Sequence, residues 1–132
     1  MKKQVKKAGK NWIFWTPRII GLVYALFLML FSLDVFGNGY EFWETVLGLL
    51  MHNLPAFALL GVLLLSWKYK LFELIAGIVF LIFGFLYILQ MIINSIINSF
   101  EGYMLLWSIQ IAGPAIFVGI LFLINYKRKK VK

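Results

Sequence analysis

Four long apolar stretches, at residues 19–36, 43–67, 71–93 and 104–126, dominate this chain. A helix crossing the hydrocarbon of a bilayer needs about 20 such residues. Strands of a membrane barrel would be shorter and would alternate in polarity, which these stretches do not. The spacing therefore predicts an all-α fold, a four-helix transmembrane bundle in a single domain covering residues 1–132. Composition agrees: 63% of the 132 residues are hydrophobic and 14% are charged, against roughly 45–50% and about 25% in a soluble domain. A chain this short has too high a surface-to-volume ratio to hide that much apolar surface from water. A soluble enzyme, a nucleic-acid-binding domain and a disordered chain are excluded by the same reasoning.

The ends of the stretches carry helix punctuation. Thr16-Pro17 reads as a capping hydroxyl followed by a proline in the first turn of the first span. Gly37-Asn38-Gly39 reads as its stop, since glycine enters left-handed angles without penalty. Asn94, Asn98, Ser99 and Gly102 predict a long polar third connection over 94–103. Tryptophans at 12, 15, 43, 67 and 107 lie near span ends, where amphipathic rings settle at membrane surfaces. Pro55 and Pro114 predict kinks, because each removes a backbone donor inside a span. The basic start resembles a signal peptide, but its apolar run is too long and lacks a small-residue cleavage site. The expectation is an uncleaved first span.

Charge sets the expected threading. Residues 1–15 form a basic tail with interfacial aromatics, and residues 127–132 form a second basic tail. Lys2, Lys3, Lys6, Lys7, Lys10 and Arg18 precede the first apolar run, Lys68 and Lys70 lie between the second and third, and Lys127, Arg128, Lys129, Lys130 and Lys132 follow the last. The other two connections hold no lysine or arginine. Four spans put all thirteen basic residues on one side, and the positive-inside rule makes that side cytoplasmic, so the expectation is a multi-pass protein of the cell membrane with both termini in the cytoplasm. These residues, Arg18 included, are expected to contact anionic lipid headgroups.

Candidate functional residues are few. Asp34, Glu44, Thr45 and His52 share the outer half of the first two spans. Thr45, Gly48, His52 and Pro55 fall on one helical stripe, so His52 is expected to point into the bundle near a polar group. Together these side chains would form an acidic, histidine-containing outer pocket able to bind a cation or relay protons. Taken singly, each has a structural explanation: Asp34 reaches water, Glu44 sits at a helix N-terminus, and His52 bonds to a neighbouring helix. Glu73, beside Lys70, has the same explanation as Glu44. Small residues at Gly21, Ala25, Gly48, Gly77, Gly84, Ala112, Ala115 and Gly119 are expected at helix–helix contacts, since small side chains let backbones approach in lipid. Gln90, Asn94 and Gln110 add hydrogen-bonding capacity between helices.

The chain has no cysteine and one histidine, which excludes thiolate chemistry and a polyhistidine metal site within one chain. Phosphate-loop, nucleophile-elbow, zinc-protease and dinucleotide motifs are absent. The expectation is therefore no enzyme, no catalytic residue, no metal and no cofactor. The function expected is that of an accessory, regulatory or assembly factor working through helix packing, as a homo-oligomer or with a larger membrane protein, and without nucleic acid. The alternative is a small oligomeric transporter or channel for a cation or proton, built on the outer pocket.

Several short words resemble an uncharacterised family of small four-span prokaryotic membrane proteins of unknown function. They are Thr16-Pro17-Arg18-Ile19, Ser32-Leu33-Asp34-Val35-Phe36, Phe42-Trp43-Glu44, His52 with Pro55, Trp67-Lys68, Gly77-Ile78-Val79-Phe80 with Gly84 and Tyr87, and Gly113-Pro114 with Gly119-Ile120-Leu121-Phe122-Leu123-Ile124-Asn125-Tyr126. Their order covers nearly the whole chain from Thr16, and the long polar third connection departs from the pattern. The resemblance implies a four-span fold and brings no activity with it.

Overall fold

A computed structural model describes the backbone of residues 2–130 and the side chains of residues 12–128. Four helices follow one another: α1 (Lys2–Leu30), α2 (Phe42–Lys68), α3 (Lys70–Asn98) and α4 (Gly102–Lys130). Each is long and apolar enough to cross a membrane. Neighbours in sequence pack side by side and α4 closes the ring against α1. The start of α1, the end of α4 and the α2–α3 connection share one end of the bundle, where α1, α2, α3 and α4 all meet through side chains. We call this the basic end and the opposite one the loop end.

Helix boundaries depart from the expected punctuation at the start of α1 and at the third connection, and agree with it at the Gly37-Asn38-Gly39 stop. α1 runs back to Lys2 and contains Pro17. Thr16 does not cap it; its Oγ1 donates to Trp12 O at 2.7 Å, one turn back. A hydroxyl with a carbonyl of its own helix in reach can satisfy itself there instead of starting the helix. At the other end of α1 the chain tightens into a 3-10 segment, Phe31–Asn38, and stops at Gly39 with φ 67°. Ser32 donates to Met29 O and Asn38 to Asp34 O, which ties the side chains of this tight segment to its own backbone. The third connection shrinks to residues 99–101, because α3 continues to Asn98. Within this polar stretch Ser95 donates to Met91 O at 2.8 Å, one turn back in the helix, and Ser99 turns the chain with φ 73°.

α2 begins with a capping box. The Glu41 side chain accepts from the third-residue backbone, and Glu41 N donates to Glu44 Oε2 at 3.2 Å. This holds two N-terminal donors that the helix cannot satisfy internally. Pro55 lies inside α2 and Pro114 inside α4, and both helices run on through them.

The interior is not evenly filled. Tyr24, Leu59, Leu63, Ala76, Phe80, Ala115, Val118 and Phe122 form the buried cluster. On α2 the buried residues run from Ala56 to Ser66, with none between Phe42 and Pro55; on α3 they run from Glu73 to Gly84, with none beyond. α2 before Ala56 and α3 beyond Gly84 are therefore open, while Ser32 and Val35 after α1 and Ser108 on α4 stay buried. Small residues draw α3 and α4 together within the packed part. A Cβ on Gly77 would lie 3.2 Å from Gly119 O, and one on Gly119 would lie 2.9 Å from Gly77 O. A Cβ on Gly84 would meet Ile116 Cγ1 at 2.7 Å and Ala112 O at 3.3 Å. Gly21 faces Leu63, Gly48 faces Val35, and Ala25, Ala112 and Ala115 are buried.

Candidate functional site

The chemically distinctive cluster lies at the basic end and centres on Arg18 and Glu73. Two helix termini explain why charges can be buried there. α2 ends at Lys68, so carbonyls of its last turn lack partners within the helix and carry partial negative charge. α3 begins at Lys70, so its first turn favours a carboxylate. Only Tyr69 separates the two helices. Arg18, on α1, reaches across to both termini. Its Nη2 donates to Ser66 O in the last turn of α2 at 2.9 Å and to Glu73 Oε1 in the first turn of α3 at 2.6 Å. Its Nη1 donates to Phe14 O one turn back.

The pair is fully enclosed, with side chains 0% and 1% exposed. Asn125 from α4 donates to the same Glu73 oxygen at 3.4 Å. The Phe14 ring lies 3.6 Å from the guanidinium carbon and the Phe122 ring 5.5 Å away, so the cation meets two aromatic faces. Charges out of water are tolerated when their partners are close and their hydrogen bonds are largely made. The arrangement neutralises two helix ends and joins all four helices. A second polar tie lies nearer the middle: Tyr24 OH donates to Ile111 O on α4.

This placement corrects the expectation for Arg18, which is buried rather than at the headgroups. There the guanidinium has a carboxylate and two backbone carbonyls within hydrogen-bond distance. Lys68, Lys70, Lys127 and Arg128 are exposed at the basic end. The side chains of Lys2, Lys3, Lys6, Lys7, Lys10, Lys129 and Lys130 lie outside the described residues.

The expected outer pocket does not close. His52 is exposed, and its Nδ1 meets Gly48 O of its own helix at 3.0 Å. Asp34 and Glu44 are exposed as well, and Glu44 belongs to the α2 cap. Thr45 Oγ1 donates to Glu41 O at 2.9 Å. No hydrogen bond or ion pair links Asp34, Glu44 and His52 among the described residues. The helical phase of His52 is sound, since it lies one turn before the buried Ala56. The face it occupies is uncovered at that height: Val35 covers Gly48 one turn toward the loop end and the buried stretch of α2 starts at Ala56, so His52 falls between them. Gln90, Asn94 and Gln110 are likewise exposed, so they are not buried between helices.

The Arg18–Glu73 tie was missed because each charge has an ordinary reading by itself. Arg18 sits among basic residues next to a span, and Glu73 sits in a first helical turn. The available signal was their position just inside two spans at the same end of the bundle, with Asn125 at the matching height on a third.

Fold and site together define a class: a four-helix bundle of membrane-length helices, locked at one end by a buried ion pair. Within that class, the chain belongs to the family described as a domain of unknown function, DUF7670, whose model matches residues 1–132. No curated protein and no solved structure matches the chain.

Proposed function

We propose that the protein is a multi-pass protein of the cell membrane with both termini cytoplasmic, and that it acts without catalysis as an accessory, regulatory or assembly factor. The observation that carries this reading is the uneven packing. One end is closed by the Arg18–Glu73–Asn125 cluster, while the other leaves the first half of α2 and the last part of α3 without a buried residue. A rigid end with open helix faces at the other suits a chain that binds other helices. The exposed Lys68, Lys70, Lys127 and Arg128 suit anionic headgroups on the cytoplasmic side. Cation or proton transport through an outer pocket has less support, because the pocket it depends on is not formed.

Two measurements test the reading. Extracted from its native membrane in mild detergent, the chain should migrate with a larger membrane protein as a defined complex. Reconstituted alone into vesicles, it should give no cation or proton flux above protein-free vesicles. A flux abolished by His52→Ala would overturn the proposal in favour of transport.

A further inference from the structure

α3 and α4 flank an open cleft of about 260 Å³ at the loop end, lined by Tyr87, Gln90 and Asn94 from α3 and by Tyr103, Trp107 and Ser108 from α4 among others. Its origin lies in the sequence. The small-residue seam of Gly77, Gly84, Ala112 and Gly119 holds the two helices together up to Gly84 and Ala112. Beyond that point the facing residues include Tyr87 and Trp107, too large for backbone contact. The cleft occupies the part of the α3–α4 interface that the seam leaves open.

Its polar groups are poorly used by the protein itself. Ser108 Oγ donates to Met104 O, within its own helix. The amides of Gln90 and Asn94 and the hydroxyl of Tyr87 have no hydrogen-bond partner among the described residues. Asn94 lies four residues from the Asn98 end of α3 and Gln90 lies eight, or about 6 and 12 Å along the axis. With α3 across a bilayer, that range runs from the interfacial zone into the acyl region. There an amide facing hydrocarbon loses its water and gains nothing.

We propose that this cleft binds the head of an uncharged lipid carrying both hydroxyl and ester carbonyl groups, the chemistry of a diacylglycerol or a glycosylated acylglycerol. Amides offer donors and acceptors together, so a head with only one kind of group would leave half of them unmatched. The lining is uncharged. The acidic residues Asp34, Glu41, Glu44 and Glu101 lie at the loop end, and no lysine or arginine among the described residues does, so an anionic phospholipid is repelled. The volume equals about nine water-sized groups, enough for a glycerol ester head and too little for a whole lipid. The tails would leave sideways into the bilayer. The inference rests on the membrane placement proposed above and is independent of the accessory role.

The full chain, extracted from membranes in mild detergent, is examined by native mass spectrometry with dioleoylglycerol, a monoglycosyl dioleoylglycerol, dioleoylphosphatidylcholine and dioleoylphosphatidylglycerol in turn. The expected result is one neutral lipid retained per chain, in preference to both phospholipids, with a rise in apparent Tm. The arm with the stronger retention tells the two neutral heads apart. Gln90→Leu with Asn94→Leu should weaken that retention by about tenfold or more. Tyr87→Phe, a milder change, should weaken it less, and Gln110→Leu, outside the cleft, should leave it unchanged. Equal retention of the phospholipids, undiminished binding in both cleft variants, or a dimer whose interface covers the cleft would overturn the proposal. A chain recovered in the soluble fraction after lysis would instead overturn the membrane placement.

Discussion

Arg18 and Glu73 show how a single pair can hold four helices. The pair is enclosed, so removing one partner strands the other's charge, at a cost of about 3–5 kcal/mol. Glu73→Gln should therefore lower the apparent Tm in detergent sharply. The double change Arg18→Met with Glu73→Met removes both charges and should recover most of the loss, since apolar replacement of a buried pair is often neutral. A double variant no more stable than the single one would show that the charges themselves are not what the site depends on. Tyr24 contributes more modestly. Its ring packs near Phe80 and Phe83, and Tyr24→Phe keeps that packing while losing the bond to Ile111 O. The expected cost is about 1 kcal/mol, measured by the same unfolding assay; no change would mean that the carbonyl is satisfied without it.

Among the elements, α3 and α4 form the tightest pair because their glycines bring carbonyl oxygens within contact distance of the facing backbone. Gly84→Leu has no room: even a Cβ would lie 2.7 Å from Ile116 Cγ1. The helices must move apart, at roughly 1–3 kcal/mol for overpacking. Gly61→Ala is the matched control, because nothing lies within 4 Å of a Cβ there. Alanine suits a helix interior better than glycine by roughly 0.5–1 kcal/mol, so this variant should be as stable as the parent or slightly more so. Thermal unfolding of both in one detergent decides the matter. Equal melting for Gly84→Leu and the parent would contradict the tight seam.

For the whole molecule, the prediction concerns sidedness. The basic residues gather at one end, which the positive-inside rule assigns to the cytoplasm. The chain has no cysteine, so single cysteines at Lys7, Asn38, Tyr69 and Gly102 can be read without background. In intact cells an impermeant thiol reagent should label positions 38 and 102 and spare 7 and 69. Labelling at position 7 with protection at 38 would invert the molecule.

The sequence by itself determined the number of spans, because bilayer thickness sets a length that apolar runs must match. It also determined which ends share a side, since an even number of helices returns the chain to where it began. The glycine positions of the α3–α4 seam were legible too, through small residues recurring on one helical face. Helix ends were read less well. Thr16, Pro17 and Asn94 carry residue types common at caps and turns, yet side-chain bonds and neighbouring helical turns absorb them into helices. Only the tertiary structure decided the site. Phase placed His52 on the face of α2 that Ala56 shares, but a helical wheel has no height, and His52 falls in the uncovered turn between Gly48, which Val35 covers, and Ala56. Arg18 and Glu73 are 55 positions apart and each is unremarked locally. Their meeting depends on α1 passing beside the α2–α3 connection, a distance between helices that no one-dimensional pattern contains.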